Sequence, residues 1–155
     1  MNVHDILYNS DEHVRFAAYL DQLQQVADAA AVDLLSRVLT DPDKVMAESA
    51  VRRHLDRRAA CLYAGSAYEE WAQVMAEATI DNPLLAQRLR EWALLRAVTL
   101  KLPWQPDGLL ASSNWLQLMT AAGTNTEAVE ILAEAGRTKR IRNTARASLN
   151  HRSEG

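Results

Sequence analysis

Two proline-marked turns lie 41 residues apart, and each ends one apolar helical run and opens another. Asp41-Pro42 follows Leu34, Leu35, Val38 and Leu39, and Asn82-Pro83 follows Trp71, Val74, Met75 and Ala78. An Asp or Asn at the N-cap with Pro at the first helical position is a start signal, because that position has no intrahelical use for an N–H. Near the C-terminus Val129, Ile131 and Leu132 lead to Gly136, and a further run of Ile141, Ala145 and Leu149 follows. A chain punctuated in this way folds into helical hairpins. A single hairpin cannot bury both of its apolar faces, so neighbours must stack.

The helices are read from spacing and caps. A short helix from Val3 to Tyr8 precedes one that Ser10 caps, with Asp11 and Glu12 in its first turn and Val14, Ala17, Ala18, Leu20, Leu23 and Val26 at helical spacing. Ala30 to Leu39 forms the next. The helix opened by Pro42 carries Ala47, Val51, Leu55, Ala59 and Leu62 on one stripe, and Gly65-Ser66 breaks it. Ala67 to Thr79 and Pro83 to about Leu100 follow, then a loop from Lys101 to Gly108. A helix with Trp115, Leu116, Leu118 and Met119 ends near Gly123, read as a left-handed C-cap. Thr124 and Glu127 stand in capping-box register before the last two helices, about 126–135 and 138–150. The expectation is an all-α single domain over 1–155 with eight or nine helices. β-branched residues form no run from which a sheet would be built.

Paired helices at this period resemble the HEAT and armadillo-type α-solenoids, whose repeats run about 40–47 residues. The likeness rests on Leu132 to Leu149, with Ile141-Arg142, Ala145 and Leu149, and on Leu34 to Leu55, with the Asp41-Pro42-Asp43 turn and Val45. It covers about half the chain, through a motif that is mostly a pattern of buried positions. The resemblance implies a non-enzymatic interaction or adaptor module whose second helices line a concave binding face.

Those second helices carry the candidate contacts. Arg53 and Arg57 share a face at i,i+4 spacing, as do Arg142 and Arg146, and Arg88 and Arg96 flank Trp92 at the same spacing. Guanidinium groups pair with carboxylates and phosphates in bidentate fashion, so an Arg-lined groove suits an acidic peptide of a protein partner or a phosphate backbone. Two bland readings stand beside this one: salt bridges from these arginines to Glu69, Glu70, Glu77 or Glu91, and a core Trp92 with its flanking Arg stems turned outward. Trp104, between two prolines in the longest loop, is either a recognition anchor or a plug between hairpins.

Residues 1–135 carry 19 acidic and 11 basic side chains, whereas 136–155 carry six basic ones against Glu154. An acidic protein with a basic end is not the footprint of a dedicated nucleic-acid binder. Binding of nucleic acid by the basic C-terminal helices nevertheless stays open, by likeness to HEAT-like DNA glycosylases, as does a role as a homo-oligomer or complex subunit. The four histidines (His4, His13, His54, His151) form no i,i+4 metal pair, and no phosphate loop or nucleophile elbow occurs. No catalytic residue, metal or cofactor is expected. His54 and Cys61 share a helix without a motif to make them a dyad, and the lone Cys61 reads as a small buried hydrophobe. With no apolar stretch of membrane-spanning length and no leader, the expected location is the cytoplasm.

Overall fold

The computed structural model describes residues 3–153, and every regular element among them is a helix, with no strand. Ten helices are present among the described residues rather than eight or nine: α1 (Val3–Leu7), α2 (Glu12–Gln25), α3 (Asp28–Val38), α4 (Lys44–Leu62), α5 (Tyr68–Ala78), α6 (Pro83–Leu100), α7 (Pro106–Ala111), α8 (Asn114–Ala121), α9 (Thr126–Ala135) and α10 (Lys139–Ser153). The addition is α7, a short helix in the stretch read as loop, started by Pro106 at its first position. The chain forms two compact units, Met1–Leu89 and Arg90–Gly155.

In the first unit α2 lies on α4 and α3 on α5, while α1 touches both α2 and α3. The predicted α4 stripe is in the core: Ala47, Val51, Leu55 and Ala59 are fully buried, and Leu62 is half-buried. The buried stripe of α2 itself is Arg15, Tyr19 and Leu23, whereas Val14 and Ala17 are exposed. The helix is therefore rotated away from the face its apolar residues predict.

Asp41 is the cause. It is not an N-cap: Asp43 caps α4, its carboxylate accepting from the Met46 N–H at 3.0 Å, and Pro42 precedes the helix. Asp41 is instead fully buried. It accepts from Arg15 Nε at 2.9 Å, from the Tyr19 hydroxyl at 2.6 Å and from the Asp43 N–H at 2.9 Å. A carboxylate in the interior must be paired and hydrogen-bonded, and satisfying this one draws Arg15 and Tyr19 inward. The other turns show smaller corrections. Asp11 rather than Ser10 caps α2, and Asn125 rather than Thr124 caps α9. Asn82 does cap α6, its Oδ1 accepting from the Leu85 N–H at 3.1 Å.

One break carries no sequence signal. α2 stops at Gln25 and α3 begins at Asp28, because Val26 and Ala27 are extended, without a Gly or Pro nearby. The helix expected to run on to about Ala29 is thus cut short.

In the second unit α9 runs along α10, α8 packs on both, and α7 packs on α8 and α9. Val98, Leu109, Val129, Leu132 and Ile141 form its core. Gly123 is not left-handed; among the described residues that conformation belongs to Lys101, with φ 57°. Lys101 closes α6 in a Schellman motif, with Leu102 N–H donating to Ala97 O at 2.8 Å. Gly136 is required for space, since a Cβ there would lie 2.6 Å from Leu132 O and 2.7 Å from Ile141 Cγ2.

Candidate functional site

The arginines singled out by spacing fall into two kinds. Arg88 is bidentate to Asp56, at 2.8 and 2.7 Å, and ties the start of α6 to α4. Arg58, next to the predicted pair, is bidentate to Asp28 at 3.0 and 2.7 Å. The carboxylates that take these two are aspartates of α3 and α4, not the glutamates expected. Arg53 and Arg57 are exposed on α4, and neither has a carboxylate within ion-pair distance among the described residues. Arg53 lies over the Phe16 ring at 6.0 Å from its centroid, a cation–π contact between α4 and α2.

In the second unit Trp92 is buried at 3% exposure and packs against Trp115, with ring centroids 5.4 Å apart. It offers no platform to a partner. Arg96 is half-buried. Trp104 is half-buried against the core of this unit, so the ring plugs a hydrophobic gap. Trp104→Ala is expected to cost about 2 kcal/mol in urea melts; a loss below about 0.5 kcal/mol would mean that the ring is not part of the core.

The basic C-terminal segment is partly structural. Arg142 donates to Gly136 O at 2.8 Å, Arg137 to Ser112 O and Leu110 O, and Arg152 to Gly123 O. These guanidiniums satisfy carbonyls at helix ends. Arg146 is exposed, with a 3.4 Å contact to Asn143, and Lys139 and Arg140 are exposed beside it.

A cavity of about 440 Å³ opens where α2 breaks from α3. Leu23, Val26, Ala27 and Asp28 line it from the break, and His54, Arg57, Arg58 and Cys61 line it from α4. Sequence reasoning missed it because no residue announces the break at Val26. His54 is 5% exposed, and its Nε2 is buried with no hydrogen-bond partner. Burial lowers its pKa below the ordinary 6.5, Asp28 opposes this, and Arg58 and Arg57 reinforce it. A histidine held low in the fold stabilises fully above its unfolded value, and that contribution falls as the pH drops below it. Cys61 is exposed, contrary to the buried reading. A second cavity, of about 310 Å³, lies on the other side of Asp28 against Trp71 and Met75 of α5.

No group of three or more His, Cys, Asp or Glu side chains placed to hold a metal occurs among the described residues. No helix among them is long and apolar enough to cross a membrane. No family model, curated protein or solved structure matches the chain.

Proposed function

We propose that this chain is a non-enzymatic, cytoplasmic interaction module built of HEAT-like stacked hairpins, which holds an acidic segment of a partner protein against α4. The stacking of α2 on α4 and α3 on α5 supports the repeat reading, since alternate helices pack together when hairpins are layered. The observation that carries the binding reading is the pair Arg53 and Arg57. They stand one helical turn apart, exposed and without a carboxylate, while Arg58 and Arg88 nearby are each neutralised by an aspartate. Two guanidiniums without carboxylates at this spacing match carboxylates at the same spacing on an extended or helical segment. In an otherwise acidic protein, such a pair also steers an acidic partner to one face.

The test is fluorescence anisotropy with a labelled hexaglutamate peptide and its glutamine counterpart as control. The glutamate peptide is expected to bind selectively, and Arg53→Glu with Arg57→Glu to weaken it by about tenfold or more, with unchanged helicity by circular dichroism. Binding that survives this double reversal would sink the proposal. So would a preference for duplex DNA with a steep salt dependence, lost on replacing Lys139, Arg140 and Arg146, which would move the site to α10.

A further inference from the structure

We propose that the α9–α10 hairpin is where two copies of this chain meet, the glutamate strip of α9 in one copy lying on the basic strip of α10 in the other. Both strips are outward faces of one hairpin. On α9 the buried side is Ala128, Val129, Leu132 and Ala133, which leaves Glu127, Glu130 and Glu134 exposed at i, i+3 and i+7. On α10 Ile141 and Ala145 are buried, while Lys139, Asn143 and Arg146 are exposed at i, i+4 and i+7, with Arg140 beside them. The helices run antiparallel, since Arg152 near the end of α10 donates to Thr126 Oγ1 at the start of α9, at 3.1 Å.

Stability of the hairpin does not explain these charges. Arg137, Arg142 and Arg152, the other basic residues of the segment, are bonded to carbonyls at helix ends. Lys139, Arg140 and Arg146 have no carboxylate within ion-pair distance among the described residues, and the α9 glutamates have no cation. Glu134 lies in the last turn of α9, and Lys139 and Arg140 open α10. Each therefore stands at the helix end whose partial charge has its own sign, which weakens the helix rather than supports it. These three flank the Gly136 turn, yet no ion pair joins them. Charges that break a local rule and that the fold leaves uncompensated mark a contact outside the chain.

Complementarity selects a second copy. Each strip carries three charges over seven residues, about 10 Å of helix, so the two match in number, length and opposite sign. A twofold axis makes the contact twice, α9 on α10 and α10 on α9. Nucleic acid is a poorer fit, because phosphates drawn to α10 meet the glutamates of the adjoining helix. No large apolar side chain is exposed on either helix, so the association is weak and salt-sensitive.

Sedimentation velocity on the full chain, from about 5 to 500 μM, reads the monomer–dimer equilibrium. A dimer is expected in about 50 mM NaCl, weakened at least tenfold in about 500 mM. Reversing α9 (Glu127→Lys, Glu130→Lys, Glu134→Lys) and reversing α10 (Lys139→Glu, Arg140→Glu, Arg146→Glu) should each give a monomer. An equimolar mixture of these two variants should form a one-to-one heterodimer. Circular dichroism checks that both stay helical; if one does not, Glu130→Lys and Arg146→Glu take their place, each weakening the dimer about tenfold and recovering on mixing. A monomer at every concentration, a dimer indifferent to salt, or variants that do not recover on mixing would each overturn the proposal. So would loss of the dimer on Arg53→Glu with Arg57→Glu, which would move the contact to α4. Duplex DNA bound through α10 by a chain that stays monomeric would assign the basic strip to nucleic acid instead.

Discussion

Asp41→Ala is expected to cost the protein about 3–5 kcal/mol, the largest loss of any single side chain considered in the first unit. The substitution leaves Arg15, only 8% exposed, with a charge and only the Asn9 carbonyl to accept from it, and it strips the fully buried Tyr19 hydroxyl of its partner. Breaking a buried pair from one side is costly because the remaining charge stays desolvated. Arg15→Met combined with Asp41→Ala should recover part of the loss, since the stranded cation is gone. Chemical denaturation of the two single variants and the double closes the cycle. A cost below about 1 kcal/mol for Asp41→Ala would show that water reaches the site. The same group sets an acid limb. Burial pushes the Asp41 carboxyl up, but the Tyr19 hydroxyl, the Asp43 amide and Arg15 together outweigh it and hold the group below its ordinary 3.8. Its contribution is therefore complete above the unfolded value and is lost as the pH falls through the lower folded one. Asp41→Asn should flatten the stability curve below about pH 4.

Gln117→Leu should have the largest effect in the second unit, about 2–3 kcal/mol. Gln117 is fully buried, and its amide joins three segments. Nε2 donates to Leu109 O at 3.2 Å and Leu110 O at 3.0 Å, closing the end of α7, while Oε1 accepts from the Arg137 N–H at 2.9 Å, just before α10. Leucine fills the volume but satisfies none of these groups. The two carbonyls keep other donors, among them Ser112 and Arg137, so the cost falls chiefly on the Arg137 amide. Gln117→Glu separates shape from bonding, because it retains the acceptor and sets a carboxylate oxygen, in place of the donor, against two carbonyl oxygens. It should cost at least as much as leucine at neutral pH. If calorimetric melting shows both variants within about 0.5 kcal/mol of the wild type, the amide is not organising this unit.

The two variants also mark the reach of sequence reading. The α4 stripe of Ala47, Val51, Leu55 and Ala59 was legible because helical periodicity is a local property, and so was the Asn82 cap. The Asp41-Pro42 turn was legible as a turn but not in its chemistry. Nothing local distinguishes a capping aspartate from a buried one, and the deciding partner, Arg15, lies 26 residues away. Trp92 was ambiguous and Cys61 was misread as buried for the same reason: an apolar residue on a broad helical face is buried only where a neighbour covers it. The free character of Arg53 and Arg57 was half legible. Their shared face follows from spacing, but their lack of carboxylates depends on where Asp28 and Asp56 go, and those two take Arg58 and Arg88 instead.

By itself the sequence determined that this protein is helical, roughly where most of its helices begin, and which side of α4 is buried, because these follow from propensity, capping and spacing within a few residues. The tertiary structure alone decided the rotation of α2, the break at Val26 and the cavity beside His54. Each of these depends on how a charge or an apolar wall is satisfied by residues distant in the chain.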